Sequence, residues 1–301
     1  MLHPSTFSIV AYSPDEQAWG VAVASKFLAV GAYVPYARAG AGAVATQSYT
    51  NATFGPHGLE LMASGFSAQQ TLERLIAEDE GRDMRQVGLV DAQGRSAAHT
   101  GSGCYAWAGH ICGRYFTCQG NILVGEATVQ AMAHTFEHVT GELGDRLVAA
   151  LVAGEKAGGD ARGKQGAAVL VVKPKGGYAG LNDRFLDLRV DDDRRPVQRL
   201  GALLKLHHLY FGRSAPADRL KIEGTLAEEI QMVLVGQGYL SSSPNGVYDG
   251  VYDPATRLAF EAFTGRENLE ERVQIADGLI DPPALDYIRQ RFEYPPRKPQ
   301  S

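Results

Sequence analysis

Pairs of short, apolar, β-prone runs are the feature that most restricts the fold of this chain. Residues 6–13 (TFSIVAYS) and 18–25 (AWGVAVAS) are two such runs separated by only four residues, which is the pattern of a β-hairpin. A second hairpin is predicted at 85–91 and 95–99. Because the strands of a hairpin run antiparallel, the sequence predicts antiparallel sheets.

Helices are predicted in pairs between these strands. Ser67 opens one of them, with Gln70 three positions later as a capping box. The other elements predicted here are a strand at 41–49, helices at 57–64, 126–138 and 143–153, strands at 166–173 and 185–190, and a helix at 196–211. This order favours helix pairs laid on sheets over alternating βαβ units. No G-x-G-x-x-G follows a strand, which argues against a Rossmann fold.

Glycine is distributed unevenly, and this divides the chain. The sequence has 35 glycines, a fraction roughly twice the usual value of about 7%. Of these, 28 lie in residues 1–220 and 7 in residues 221–301. We therefore predict a turn-rich α+β domain over residues 1–212, a linker over 213–224, and a small three-helix module over 225–301.

Start signals place the three helices of the C-terminal module. Thr225 and Glu228 have the spacing of a capping box. Asp253 and Asp281 each precede a proline, so each is predicted to be the N-cap of a helix that begins with proline. With so few residues, the module is expected to pack on another domain or a partner.

Composition excludes several classes of protein. The formal net charge is −5, and this mild acidity argues against a nucleic-acid partner. No apolar run reaches the roughly 18 residues that cross a bilayer, so no membrane partner is expected. The first residues lack a basic segment followed by an apolar core, which argues against a secretory signal. An odd number of cysteines, 3, agrees with the cytoplasm as the predicted location.

Two clusters contain residue types that bind metals in other proteins. The three cysteines lie near two histidines but lack the close C-x₂₋₄-C pair of a structural zinc site, so free thiols are expected; these residues are Cys104, Cys112, Cys118, His99 and His110. Asp187 and Asp191–Asp193 offer hard oxygen ligands for Ca²⁺ or Mg²⁺. Neighbouring arginines favour local ion pairs and a helix cap there. We expect neither a metal nor a cofactor.

Several strings in order resemble a known family. They are TFSIVA (6–11), GVAVASKFLAVG (20–31), AGAVATQSYTN (41–51), FGPHGLELM (54–62), WAGH (107–110), QGNILVG (119–125), AGGDARGKQGAA (157–168) and DLRVDDD (187–193). Residues 5–212 resemble domain-of-unknown-function family 1028, which is assigned to the Ntn-hydrolase superfamily. The resemblance implies a four-layer αββα sandwich. Residues 225–292 resemble a peptidoglycan-binding module, carried by EEIQMVLVGQGYL (228–240) and GLID (278–281).

The resemblance also implies a nucleophile. Ntn hydrolases attack an amide with the side chain of the first residue of the mature chain, whose α-amino group is the base. Thr6, at the start of the first strand, is the candidate. Five residues precede it, so a free amine requires cleavage of the Ser5–Thr6 bond. The alternative is that Thr6 is only a β-branched residue at a strand start.

The remaining candidates surround this nucleophile. Lys26 is expected to help electrostatically, and Asn121 to donate to the oxyanion. The residues expected to contact substrate are Ser25, Asn51, Gln119, Asp160 and Arg162. Asp160 and Arg162 suit the amine and carboxylate of an amino-acid-like substrate, and a surface ion pair is the alternative. Asparagines are also common in turns, and the alternative for Lys26 is an exposed lysine at the end of a strand.

Two functions follow from these observations. The first is a hydrolase of a small amide or peptide-like substrate. The alternative is a non-catalytic ligand- or glycan-binding protein that keeps the cleft without N-terminal processing. In either case the C-terminal module is expected to bind a glycan or a protein partner, and the chain to form a homo-oligomer.

Overall fold

The structure is a computed structural model that describes residues 6–212, 214–241 and 248–292. The chain forms two compact units, Met1–Leu204 and Lys205–Ser301. The boundary between them falls within helix α5 (Pro196–Phe211). The predicted domain limits stay predictions, and the stretch predicted as a linker contains a short strand, β11 (Leu220–Lys221).

Two antiparallel sheets form the first unit, as the hairpin pattern predicts. Its strands are β1 (Thr6–Ser13), β2 (Ala18–Ser25), β3 (Pro35–Arg38), β4 (Gly42–Ser48), β5 (Arg85–Asp91), β6 (Ser96–Thr100), β7 (Gly109–Gly113), β8 (Phe116–Asn121), β9 (Gly166–Val172) and β10 (Arg184–Val190). The six-stranded sheet has the order β10-β9-β2-β1-β8-β7, and the four-stranded sheet has the order β3-β4-β5-β6. Both predicted hairpins, β1–β2 and β5–β6, are confirmed. Strands β3, β7 and β8 were not predicted.

Four helices cover these sheets. They are α1 (Phe54–Ala63), α2 (Ala68–Ala77), α3 (Ala127–His138) and α4 (Leu143–Lys156). Helices α3 and α4 share an apolar cluster with the six-stranded sheet, and α1 and α2 share one with the four-stranded sheet. A capping box at Ser67 and Gln70 starts α2, as predicted. The predicted mixed α+β class with antiparallel sheets is confirmed.

Strand β1 is buried on both of its faces. Successive side chains of a strand point to opposite sides of the sheet. Phe7 and Ile9 belong to the cluster with α3 and α4. Val10 and Tyr12 belong to a third cluster, with Ala43 of the four-stranded sheet. The even-numbered side chains of β1 therefore face the second sheet.

Three helices and a small sheet form the second unit. The helices are α6 (Thr225–Gly236), α7 (Pro254–Glu267) and α8 (Pro282–Arg291), and the sheet pairs β11, β13 (Leu279–Ile280) and β12 (Val273–Gln274) in that order. Ile230, Phe260 and Leu285, one from each helix, lie in one apolar core. The predicted three-helix module is consistent with this unit, and the short strands were not predicted. Within the described residues, no helix of either unit has the length and apolar character needed to cross a membrane.

The predicted caps of these helices have three different outcomes. The Asp253 carboxylate accepts a hydrogen bond from the backbone N–H of Thr256, so this cap is confirmed. The capping box at Thr225 is wrong, because Thr225 is the first helical residue and Gly224 precedes it as the N-cap. Asp281 stands at the N-cap of α8 without capping it with its side chain.

Two arginines explain why Asp281 does not cap its helix. Its carboxylate forms ion pairs with Arg272 at 2.8 Å and Arg219 at 3.1 Å. Asp281 and Arg272 are both buried. A buried charge requires a charged partner more than the helix end requires a cap, so the carboxylate is directed to the arginines.

Candidate active site

Three neighbouring strands of the six-stranded sheet carry polar side chains at one level. Thr6 on β1 lies opposite Ser25 on β2 and opposite Asn121 on β8. The Thr6 hydroxyl donates a hydrogen bond to the Ser25 hydroxyl, with 3.3 Å between the oxygens. Each of the three residues is at most 2% exposed. We call them the Thr6 row, and the alternation along β1 directs the Thr6 side chain toward the second sheet.

Three buried glutamines lie next to the Thr6 row. Gln86 of β5 accepts hydrogen bonds from the side-chain amides of Asn121 at 2.9 Å and Gln47 at 2.8 Å. Gln119 donates to the Ser8 hydroxyl at 2.6 Å, and Ser8 donates to Gln47 at 2.6 Å. These bonds join the two sheets through side chains, and they fix which way the Asn121 amide points.

A glycine makes room for this network. A Cβ atom on Gly88 would lie 2.3 Å from the Oε1 atom of Gln119, which is far inside contact distance. Because glycine lacks this atom, the two sheets can approach each other around the glutamine side chain.

Asp160 and Arg162 form an ion pair with each other, which is the alternative given for this pair of residues. The Arg162 guanidinium lies 3.2 Å from the Asp160 carboxylate. The same carboxylate accepts hydrogen bonds from the backbone N–H of Lys26 at 2.6 Å and of Arg162 at 2.8 Å. Asp160 therefore fastens its loop to the end of β2.

Two other candidates point to different neighbours. The Lys26 ammonium is exposed and donates to the backbone carbonyl of Lys164 at 3.4 Å. The Asn51 side chain accepts hydrogen bonds from the backbone N–H and the hydroxyl of Thr53, at 3.1 and 2.6 Å. Asn51 thus supports the turn that leads into α1.

A cleft of about 250 Å³ opens at the ends of β1 and β2. Phe7 and Ala24 line it, and both belong to the cluster on the helix side of the sheet. Glu155, Asp160 and Lys164 supply its charged groups. Ser25 of the Thr6 row also lines the cleft, so the cleft reaches the row at the end of β2, while Phe7 and Ala24 belong to the helix side of the sheet.

Sequence reasoning missed Gln47, Gln86, Glu155 and Lys164. A weak signal exists for the two glutamines, because each lies within a predicted strand, although polar residues flank both: Thr46 and Ser48 in β4, and Arg85 in β5. Glu155 and Lys164 carry no such signal, since charged residues at a helix end and in a loop are ordinary.

The two clusters considered as metal sites have other roles. Asp187 forms ion pairs with Arg184 and Arg189, as the neighbouring arginines suggest. The cysteines have free thiols. Burial raises the pKa of the Cys118 thiol well above its usual value. Burial also lowers the pKa of His110.

The fold and the Thr6 row define a class: a two-unit protein with a buried row of hydroxyl and amide side chains at the end of an antiparallel sheet. The chain belongs to the family of unknown function DUF1028, whose model matches residues 6–200. A second model, "Putative peptidoglycan binding domain", matches residues 210–288. Both resemblances expected from the sequence are confirmed.

One solved structure supports the family assignment. The chain is similar to the crystal structure of protein SPO2555 from Silicibacter pomeroyi, a DUF1028 protein, with 28% identity and a TM-score of 0.62. The match covers 76% of this chain and 91% of that chain. No curated protein matches the chain.

Proposed function

We propose that this protein is an amide hydrolase of the N-terminal nucleophile type, with Thr6 as nucleophile. The proposal includes the four-layer αββα sandwich of that superfamily. Two features support this fold: an apolar cluster between the two sheets, and a helix pair on the outer side of each sheet. The observation that supports the proposal is the Thr6 row, because the hydroxyl of Thr6 and the amide of Asn121 lie at the same level where β1 starts.

Each member of the row has a role in this chemistry. The Thr6 Oγ1 atom attacks the carbonyl carbon of the substrate amide. The α-amino group of Thr6, freed by cleavage of the Ser5–Thr6 bond, takes up the hydroxyl proton and passes it to the amine that leaves when the C–N bond of the amide breaks. Water then hydrolyses the ester on Thr6 and releases the acid. The Asn121 amide donates to the developing oxyanion. Gln86 accepts one hydrogen of that amide group and thereby orients it.

The other candidates support the row from nearby. Ser25 accepts the Thr6 hydrogen bond and so orients the hydroxyl. Asp160, through the Lys26 backbone, fixes the end of β2 that carries Ser25. Substrate contacts by Ser25, Asn51, Gln119, Asp160 and Arg162 stay predictions, as do the electrostatic role of Lys26, the homo-oligomer and the cytoplasmic location.

Mass spectrometry of the purified full chain, with N-terminal sequencing, tests the processing step. We expect a species that begins at Thr6. A set of small amides and dipeptides then tests turnover by the native chain, by Thr6→Ala and by the control Thr140→Ala, which alters an exposed threonine. Activity should fall to background in Thr6→Ala alone. Turnover by Thr6→Ala at the native rate would refute Thr6 as the nucleophile, and full activity of a chain that begins at Met1 would refute the free-amine mechanism.

The second unit favours glycan binding as an additional or alternative function. This function is supported by the match of residues 210–288 to the peptidoglycan-binding domain. We expect the full chain to sediment with insoluble peptidoglycan and not with cellulose. Equal sedimentation with both polymers, or with neither, would contradict this function.

A further inference from the structure

The cleft at the ends of β1 and β2 contains an acid that the proposed hydrolysis does not use. Glu155 lies in the last turn of α4, and its side chain is 6% exposed. Its Oε1 atom receives the Lys164 ammonium at 3.0 Å and the Gln198 amide at 2.5 Å. Both of the side-chain hydrogen bonds that Glu155 makes with described residues therefore use Oε1. Its second oxygen, Oε2, is available to bind a ligand.

Lys164 is the cation that lines the same cleft, and Lys26, which does not line it, lies beside Lys164. The Lys164 side chain is 45% exposed. The Lys26 ammonium is 3.4 Å from the Lys164 backbone carbonyl. Along the cleft, negative charge is therefore buried and positive charge is exposed.

The charges of the cleft are balanced before any ligand binds. Glu155 is paired with Lys164, and Asp160 with Arg162. A ligand with one net charge would leave an unbalanced charge in a partly desolvated site, which is unfavourable. A ligand with one positive and one negative group preserves the balance and meets both signs.

The size and the walls of the cleft agree with a small ligand. Its volume of about 250 Å³ is below the roughly 300–1,000 Å³ of sites for drug-sized molecules. Phe7, Val124 and Pro196 supply apolar surface. Gly158 has a φ of +129°, and a Cβ there would lie 2.8 Å from the Cβ of Val124, so glycine keeps this wall in place.

We propose that this cleft binds a free α-amino acid, with the ammonium group on Oε2 of Glu155 and the carboxylate on the Lys164 ammonium. The apolar walls receive the side chain. The proposal does not depend on hydrolysis, because neither Thr6 nor Asn121 lines the cleft; Ser25 is the member of the Thr6 row that does.

Thermal-shift measurements on the full chain with each of the common L-amino acids provide the first test. Isothermal titration calorimetry then compares the amino acid that stabilises most with its amide and its N-acetyl derivative. Each derivative lacks one of the two charges and should bind about tenfold more weakly or worse. Failure of every common amino acid to bind, or equal affinity for the three forms, would overturn the proposal.

Variants locate the site and separate it from the proposed activity. Glu155→Gln and Lys164→Met should each weaken binding about tenfold or more. Glu142→Gln, at the exposed start of the same helix, should leave the affinity unchanged. Thr6→Ala should bind the amino acid with native affinity. The binding result therefore stands even if Thr6 is not a nucleophile. Native affinity in both Glu155→Gln and Lys164→Met would show that the cleft is not the site.

Discussion

Replacement of Gln86 by leucine tests the buried network that orients Asn121. Gln86 is 0% exposed. Its Oε1 atom accepts from Asn121 and Gln47, and its Nε2 atom donates to the backbone carbonyl of Gly120 at 2.7 Å. Leucine has a similar size and makes none of these bonds. Because the site is closed to solvent, water does not replace them.

The magnitude follows from the side-chain amides of Asn121 and Gln47, which lose the Gln86 oxygen as acceptor. The Gln47 amide keeps longer contacts, at 3.4 and 3.5 Å, with the carbonyls of Thr6 and Gln119, so a cost counted in full for both amides is an upper range. A buried polar group that loses its partner costs about 1–3 kcal/mol, so two such groups cost about 2–6 kcal/mol by the same rule. Burial of an apolar side chain in place of the amide returns about 1–2 kcal/mol. Subtraction of the return from the cost gives about 0–5 kcal/mol with a midpoint of about 2.5 kcal/mol, so we expect Gln86→Leu to lower the free energy of unfolding of the first unit by about 2–3 kcal/mol.

Urea denaturation followed by tryptophan fluorescence measures this loss. The chain has 2 tryptophans, Trp19 and Trp107, and both lie in the first unit. Trp19 is 3% exposed, so unfolding changes its surroundings strongly. The second unit contains no tryptophan and does not contribute to the signal.

Gln69→Leu provides a matched control for the substitution. Gln69 is exposed on α2 and donates to Glu73 at 2.9 Å. We expect this variant to stay within about 0.5 kcal/mol of the native chain. If Gln86→Leu and Gln69→Leu differ by less than about 1 kcal/mol, the network does not carry the stability assigned to it.

Three further predictions concern buried ionisable groups. Asp281→Ala leaves Arg272 buried without its carboxylate partner and should destabilise the second unit by about 3–5 kcal/mol. Urea denaturation followed by circular dichroism measures this loss, and a loss below about 1 kcal/mol would contradict the role of the ion pair. Burial opposes ionisation of Asp281, but a backbone N–H, Arg272 and Arg219 outweigh it and hold the pKa below its usual 3.8. The stabilisation by Asp281 should therefore be complete above that pH and disappear as the pH falls through the lower folded-state pKa. The difference in free energy of unfolding between Asp281→Ala and the native chain should close in acid, and a difference that stays constant with pH would refute this. In the folded chain a thiol reagent should modify the exposed Cys112 and spare the buried Cys118, as peptide mass mapping shows; equal labelling would contradict the burial of Cys118.

Local patterns predicted those elements that depend on neighbouring residues. The β1–β2 hairpin follows from two apolar runs and a short turn, and the Ser67 and Asp253 caps follow from side chains that reach their own helix ends. Thr6 was also placed correctly at a strand start. The failures have a physical reason as well. Asp281 has the sequence of a cap, but two arginines from other parts of the unit bind its carboxylate more strongly.

The sequence by itself determined the antiparallel strands and the helix pairs, because periodicity and caps act over a few residues. The candidate nucleophile followed from the resemblance to a family. Only the tertiary structure decided what surrounds Thr6. Strand β8 pairs with β1 and so brings Asn121 to the same level, and the second sheet contributes Gln47 and Gln86. Such contacts depend on strand register and sheet packing between distant segments. The cleft with Glu155 and Lys164 has the same origin, since a helix end and a loop became one site only through folding.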